Sequence, residues 1–259
     1  MNRQPAVAGT FYPANPIQLH QMLDQYLIDA ETGSKVPKAI IAPHAGYIYS
    51  GPVAASAYAR LKKAHDLITR VVIIGPSHRV AFPGLALSKA QSFITPLGSI
   101  AVDQEALETI AKLPFVDYLE QAHTQEHSLE VHLPFLQEML DDFKIVPIVA
   151  GDASPEQVSQ VIAALWGGDE TLIVISSDLS HYHDYATAKQ LDKVTSAAIE
   201  HLQYERIAFD SACGKVPVSG LLKLAREKSL TIKTIDLRNS GDTAGDKSRV
   251  VGYGAYVIE

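Results

Sequence analysis

Residues 171–183 read Thr171-Leu-Ile-Val-Ile-Ser176-Ser-Asp178-Leu-Ser-His181-Tyr-His183, an apolar run that passes without a break into a cluster of hydroxyl, carboxyl and imidazole groups. The apolar half is too uniform for a strand with one wet face. It reads as a strand buried on both sides, as happens where helices cover both faces of a parallel sheet. Four further runs share this character: Lys38–Ala42, Arg70–Gly75, Lys144–Val149 and Val250–Ile258. Helical stretches lie between them. The Ser154-Pro155-Glu156-Gln157 signature, an N-cap hydroxyl followed by proline and a glutamine three positions on, opens one that runs to about Trp166. Others are expected over 16–30, 51–63, 103–112, 126–140, 185–202 and 217–228, with Pro134 kinking or breaking the fourth. Residues 81–100 suit short strands and turns, and 238–249 an exposed loop. The pattern implies an α/β layered sandwich with a central mixed, mostly parallel sheet flanked by helices.

Composition limits the alternatives. A chain of 259 residues, 47% hydrophobic and 20% charged, can bury roughly 70–75% of its unfolded surface in one core. Its 14 prolines are scattered and no linker divides it, so a single domain over 1–259 is expected. With 22 Lys and Arg against 29 Asp and Glu, and no basic run, the chain lacks the electrostatic footprint of a nucleic-acid binder. Neither a signal-like N-terminus nor an apolar stretch of the ~18–20 residues that span a bilayer occurs, and the lone Cys213 fits a reducing compartment. A cytoplasmic protein without membrane attachment is expected. The oligomeric state is open.

The chemistry collects at the ends of the apolar runs. Ala42 leads into Pro43-His44-Ala-Gly-Tyr47, Gly75 into Pro76-Ser-His78-Arg79, and Ser176 into Ser177-Asp178-Leu-Ser-His181. In open α/β sheets the carboxyl ends of parallel strands line the ligand crevice, so neighbouring strands would bring the three clusters to one rim. Two imidazoles and one further donor suffice for a divalent transition metal with a coordination position left open. The third donor is Asp178, Cys213, or a residue of His123-Thr-Gln-Glu126-His127-Ser-Leu-Glu130-Val-His132. Cys213 precedes a predicted helix, where nearby positive charge would favour a thiolate. Within the last segment, His123-x-x-Glu126-His127 matches a zinc metallopeptidase pattern in which both histidines share a helical face and the glutamate is the base. Glu126 and Glu130 would otherwise stand on a solvent-facing helix surface. No phosphate-binding glycine loop and no G-x-S-x-G elbow is present.

Six segments in order then carry a resemblance: Pro5–Pro13; Ala42–Tyr47 with Tyr49–Gly51; Gly75–His78; Glu126–Glu130 with His132–Phe135; Ser176–His181; and Ala212–Gly214. Together they resemble the Memo family, similar in fold to the class III extradiol ring-cleaving dioxygenases. The resemblance implies that His44, His78 and Cys213 are metal ligands, with iron or copper the associated metals. It also implies that Asp178 and His181 share the pocket and that His127 lies close by. The dioxygenase relatives use two histidines and a carboxylate, so Cys213 is a softer third donor, favourable to copper or zinc. Prokaryotic members of this kind are often encoded beside radical-SAM and AMMECR-type proteins, which implies a functional link to such partners. The expected activity is a metal-dependent oxidoreductase on an unidentified small-molecule or peptide substrate. His181, oriented by Asp178, moves the proton, and Tyr47 and Tyr49 line the pocket. The alternative is a non-catalytic adaptor that holds a metal or a peptide in the same cleft.

Overall fold

The computed structural model describes residues 1–259. In chain order its strands are β1 (Asn2–Arg3), β2 (Ala39–Ala42), β3 (Arg70–Pro76), β4 (Leu85–Leu87), β5 (Ser92–Thr95), β6 (Gly98–Val102), β7 (Val116–Tyr118), β8 (Lys144–Ala150), β9 (Thr171–Ser176), β10 (His181–His183), β11 (Ile232–Asn239) and β12 (Val250–Ile258). The helices are α1 (Pro16–Ile28), α2 (Tyr47–Tyr58), α3 (Gln104–Ile110), α4 (Glu120–Thr124), α5 (Leu133–Met139), α6 (Pro155–Ala164), α7 (Tyr185–Glu200) and α8 (Lys215–Glu227).

All strands join one sheet, with the path β1-β5-β6-β8-β3-β9-β2-β12-β10. Its centre, β8-β3-β9-β2, is wholly parallel. The expected mixed, mostly parallel sheet flanked by helices is therefore the fold. Every residue of β2 and β9 is buried, as the uniform apolar runs require. The last of these strands to be made, β9, inserts between β2 and β3, so the chain reverses its winding there and opens a crevice above the strand ends. A core cluster of 70 buried residues runs through the sheet and its helices. Helices α6 and α8 pack together with α8 on β3 and β9, α2 packs on β2 and β12, and α7 lies against β11 and β12. No helix is long and apolar enough to cross a membrane.

Local chemistry explains most boundaries. Ser154 and Gln157 form the expected reciprocal capping box at α6, and Asn15 and Asp184 cap α1 and α7 through their side chains. Helix α2 begins one turn before the expected start, with the Tyr47 N–H donating to Phe11 O and Pro52 inside the helix.

The helix expected over 126–140 does not form as one element. The Glu126 carboxylate accepts the backbone N–H groups of His127 and Ser128, which holds a tight turn and competes with the helical ladder. One 3-10 turn (Glu130–His132) follows, and α5 then starts with Pro134 in its first turn, so the proline initiates a helix instead of kinking one. Strand β11, absent from the sequence reading, pairs antiparallel with β12 and takes in Arg238 and Asn239 from the expected loop.

Glu130 does not face solvent. Its fully buried carboxylate is ion-paired with Arg3 and accepts the Ala6 N–H at 2.7 Å, the Val7 N–H at 3.0 Å and the Tyr12 hydroxyl at 2.6 Å. The N-terminal segment is thus fastened to the molecule around one charge, with Arg3 also donating to His123 O and Glu126 O. Replacing it with alanine leaves the Arg3 guanidinium buried and unpaired, so Glu130→Ala should lower unfolding free energy by about 3–5 kcal/mol in urea titration. A loss below about 1 kcal/mol would show that the N-terminal segment is not anchored in this way.

Candidate functional site

Three neighbouring strand ends deliver the site. His44 follows β2, His78 follows β3, and Asp178 follows β9 between them, as the strand-end reading required. The Ser177 N–H donates to Ala42 O, and the His44 N–H donates to Asp178 Oδ1 at 2.8 Å, so the β2 exit is tied to the β9 exit. Cys213 arrives from the loop before α8. Its N–H donates to Asp178 O, and the Asp178 N–H donates to Cys213 Sγ at 3.2 Å. Gly214 makes that approach feasible, because a Cβ there would lie 2.3 Å from Ser176 O. Gly75 does the same on the other side, where a Cβ would meet Ser128 Oγ at 2.7 Å.

The imidazoles are held by their Nδ1 atoms. The Ser176 hydroxyl donates to Ser128 O at 2.6 Å, so the 2.6 Å contact between Ser176 Oγ and His44 Nδ1 must be made by a proton on the ring. That leaves the lone pair of His44 on Nε2, 3.3 Å from Cys213 Sγ. His78 Nδ1 lies 2.9 Å from Glu126 Oε1, and its N–H donates to Glu126 Oε2 at 2.6 Å, which likewise frees its Nε2. Ring orientation by a carboxylate or hydroxyl behind Nδ1 is the usual support of a metal-bound histidine. One ligand atom each from His44, His78 and Cys213 lie within 4.8 Å of one another. A second group, His78, Glu126 and His127, satisfies the same criterion. It is the weaker set, because both Glu126 oxygens already accept hydrogen bonds from His78, His127 and Ser128. The His127 ring stacks on His78 at 4.5 Å and meets His44 edge-on at 5.4 Å, with Phe11 packed against it at 4.8 Å.

Burial decides the protonation states. It holds His44 well below the usual imidazole range, helped by His78, His127, His132 and His181. Burial brings His127 down to about 4 and His132 to about 3, and it lowers His181. Burial opposes ionisation of Glu126, yet the hydrogen bonds and charge of His78 outweigh it and take that carboxyl to about 2. Asp178 rises to about 7 because burial exceeds the help from the His44 and Ala45 N–H groups. Burial pushes the Cys213 thiol up, and the Asp178 carboxyl adds to this. The thiolate expected at Cys213 is therefore not favoured by its surroundings. Neutral imidazoles and a thiol facing a carboxyl form a donor set whose deprotonated form needs an added cation, which is how a metal site fits these residues.

Several expectations change. Tyr47 is buried and its hydroxyl donates to Val131 O at 2.6 Å, so it supports the helix instead of lining a pocket. Tyr49 is partly exposed. Asp178 is engaged by the backbone of His44 and Ala45, while the partner that raises His181 is the Leu179 backbone; the expected Asp178–His181 pair is not formed. The metallopeptidase pattern dissolves, since α4 ends at Thr124 and His123 Nε2 binds Ala86 O, away from His127. Glu126, read as a base or a solvated side chain, is a buried support for His78. His132, one of the candidate donors, has its Nδ1 2.8 Å from the Tyr58 hydroxyl, while the supporting hydroxyl of Ser176 and carbonyl of Ser128 are not marked by any motif. A serine at the last position of a buried strand was the available signal for Ser176.

Comparison with known proteins identifies the family. The family model described as Memo-like protein matches residues 3–257. A MEMO1 family protein of Aquifex aeolicus is 38% identical over 263 residues, covering 97% of each chain. One from Methanosarcina barkeri is 38% identical over 270 residues, covering 99% of this chain and all of its own. A crystal structure of an uncharacterized protein from Escherichia coli K12 superposes with a TM-score of 0.50 over 85% of this chain and 98% of its own; at 13% identity it speaks to the fold alone.

The depressed histidines set a pH dependence. Unfolded, each titrates near 6.5. Folded, His123 and His127 titrate at about 4 and His132 at about 3, so from about pH 6.5 down to 4 the unfolded chain binds more protons. Their contribution is fully present above that window and is lost as pH falls through it. Asp178, raised to about 7, works in the opposite sense as a single group. Unfolding free energy from urea titration should fall by a few kcal/mol between about pH 7 and 5. A flat profile would show that these rings are not held neutral by the fold.

Proposed function

The chain belongs to the Memo-like protein family, and from that premise we propose that it is a metal-dependent oxidoreductase whose ion is held by His44, His78 and Cys213. The observation that carries the reading is the convergence of those three donor atoms, with both Nδ1 atoms tied back so that the two Nε2 lone pairs and the sulfur share one space. The soft thiolate suits copper or zinc, and iron is the other metal that the family resemblance implies. When bound, such an ion supplies Lewis acidity or electron transfer.

The chain's own groups do the rest. His127 is neutral at physiological pH and stands against His78, where its ring can take a proton from a substrate hydroxyl. His181, also depressed by burial and within electrostatic reach of His78, is the second proton acceptor. Asp178 fixes the β2 exit through the His44 N–H and acts through position. Phe11 covers one side of His127, and Tyr49, partly exposed, supplies a phenol for substrate contact. The reaction is dioxygenase-like, on a small organic molecule, and the lone cysteine suits the reducing cytoplasm.

Metal analysis of the protein purified without added metal or chelator tests the centre. Wild type should carry iron or copper, while Cys213→Ala and His44→Ala should lose it and keep their circular dichroism. Glu126→Gln should weaken affinity by about 10–100-fold in a chelator competition, because it loosens His78. Metal content unchanged in Cys213→Ala would remove the sulfur from the ligand set. Oxygen uptake with catechol or ascorbate should follow metal content across these variants. A loaded protein that consumes no oxygen with any substrate offered would leave the non-catalytic binding role in place of the enzyme.

A further inference from the structure

We propose that Asp192, an acid on the buried face of α7, is a positioning residue for the metal centre: it fixes the stretch of backbone that ties His44 to Cys213. This rests on the metal-centred reading only for what that spacing serves. The buried residues of α7 are Ala188, Asp192, Thr195, Ser196, Ala198 and Ile199, so a carboxylate occupies a place in the stripe where a small or apolar side chain would pack. Asp192 is 3% exposed, and burial pushes its carboxyl up while the Ser180 N–H works against that shift. A buried acid is unfavourable unless it is hydrogen-bonded.

What Asp192 holds is Ser180, whose N–H donates to its Oδ1 at 2.9 Å. Two backbone bonds clamp the same residues to β12, the Leu179 N–H donating to Gly252 O and the Gly252 N–H to Ser180 O, both at 2.8 Å. Gly252 is the condition for this packing, because a Cβ there would lie 2.0 Å from Asp192 Oδ2. Just beyond, the pairing of β10 with β12 slips between His181 and His183, and Tyr182 takes a φ of 62°. A non-glycine residue keeps such a conformation only where its surroundings over-determine it, and the clamp on Ser180 supplies that restraint from one side.

The other end of the segment meets the donors. Asp178 Oδ1 accepts the His44 N–H at 2.8 Å, the Asp178 N–H donates to Cys213 Sγ at 3.2 Å, and Asp178 O accepts the Cys213 N–H at 3.3 Å. Two of the three proposed ligands are thus referred to one residue, two positions from the Ser180 clamp. From Asp192 to the sulfur the connection runs through backbone groups and hydrogen bonds, with no flexible side chain between them. Ligand distances in a metal site tolerate about 0.2 Å. Slack in residues 178–180 would let Cys213 Sγ drift from His44 Nε2, now 3.3 Å away.

The test is amide hydrogen exchange, followed residue by residue by NMR on metal-free protein, with zinc affinity from chelator competition beside it. Asp192→Ala, which removes the acceptor, should speed exchange of the Leu179, Ser180 and Cys213 amides about tenfold more than that of the β3 and β8 amides, as the loss of one hydrogen bond allows. Gly252→Ala, whose methyl displaces the same carboxylate, should do likewise and serves if the first variant does not fold. Asp192→Asn keeps an acceptor and should stay close to wild type. Leu107→Ala, which empties the core beneath α3, lowers stability without touching the segment and should not single out those amides. Zinc affinity should fall about 10–100-fold in Asp192→Ala and be restored in Asp192→Asn. A Cys213 amide that responds no more than the core, equal acceleration in Asp192→Asn, or zinc affinity that falls in Cys213→Ala but not in Asp192→Ala would overturn the proposal. Zinc binding untouched by Cys213→Ala, with the Cys213 amide still freed in Asp192→Ala, would uphold the positioning of the segment and remove only the metal-centred reading.

Discussion

One carboxylate, Glu126, joins the two halves of the site. It accepts both the backbone N–H and the ring of His78 from the β3 exit, and the N–H groups of His127 and Ser128 from the segment that lies across it. A buried carboxylate is costly unless its lone pairs are filled, and here they are filled by groups that must be immobile. The consequence spreads outward. Ser128, fixed by Glu126, offers its carbonyl to Ser176, whose oxygen then accepts from the His44 ring. The tautomers of two histidines on different strands are thereby set by one chain of hydrogen bonds. Gly75 is the packing condition for this, since a side chain there would separate the 126–130 turn from β3.

The cost of the arrangement falls on stability. Four site histidines are held below their ordinary range, His123 Nδ1 and His132 Nε2 are buried without a protein partner, and Asp178 is driven toward its neutral form. Each of these is unfavourable by itself. They persist because the surrounding sheet, buried on both faces, and the Arg3–Glu130 anchor leave the loops no cheaper conformation. Functional loops on a rigid scaffold carry such strain in general.

Much of the fold was legible because the central strands are apolar throughout and end abruptly in polar residues. That boundary alone puts His44, His78 and Asp178 on one rim. Strand β11 was not legible, since its alternating Ile-Lys-Thr-Ile-Asp-Leu-Arg pattern lies on the outside of β12 and lacks the uniform burial of the centre. The 126–140 segment misled for a different reason. Its residues have helical spacing, but the side chain of Glu126 competes for the backbone donors, and that competition is visible only once His78 is beside it. Residue type alone likewise could not separate Tyr47, whose hydroxyl is turned inward to Val131, from Tyr49, which stays partly exposed.

As the third donor of the proposed centre, Cys213 suits what surrounds it. Sγ lies 3.3 Å from His44 Nε2 and accepts the Asp178 N–H, in a position reached only because Gly214 lets the loop lie on β9. A carboxylate at residue 213 would put a second acid against Asp178, already raised by burial to about 7, and two adjacent carboxyls in a dry site cannot both ionise. A thiol avoids this conflict when no cation is bound, because it stays neutral where a carboxylate would compete for charge. When a divalent ion arrives, the same thiol can release its proton and become a strong, polarisable donor. Asp178 can then keep its hold on the His44 backbone in either state, so that the geometry of the site does not depend on whether the sulfur is charged.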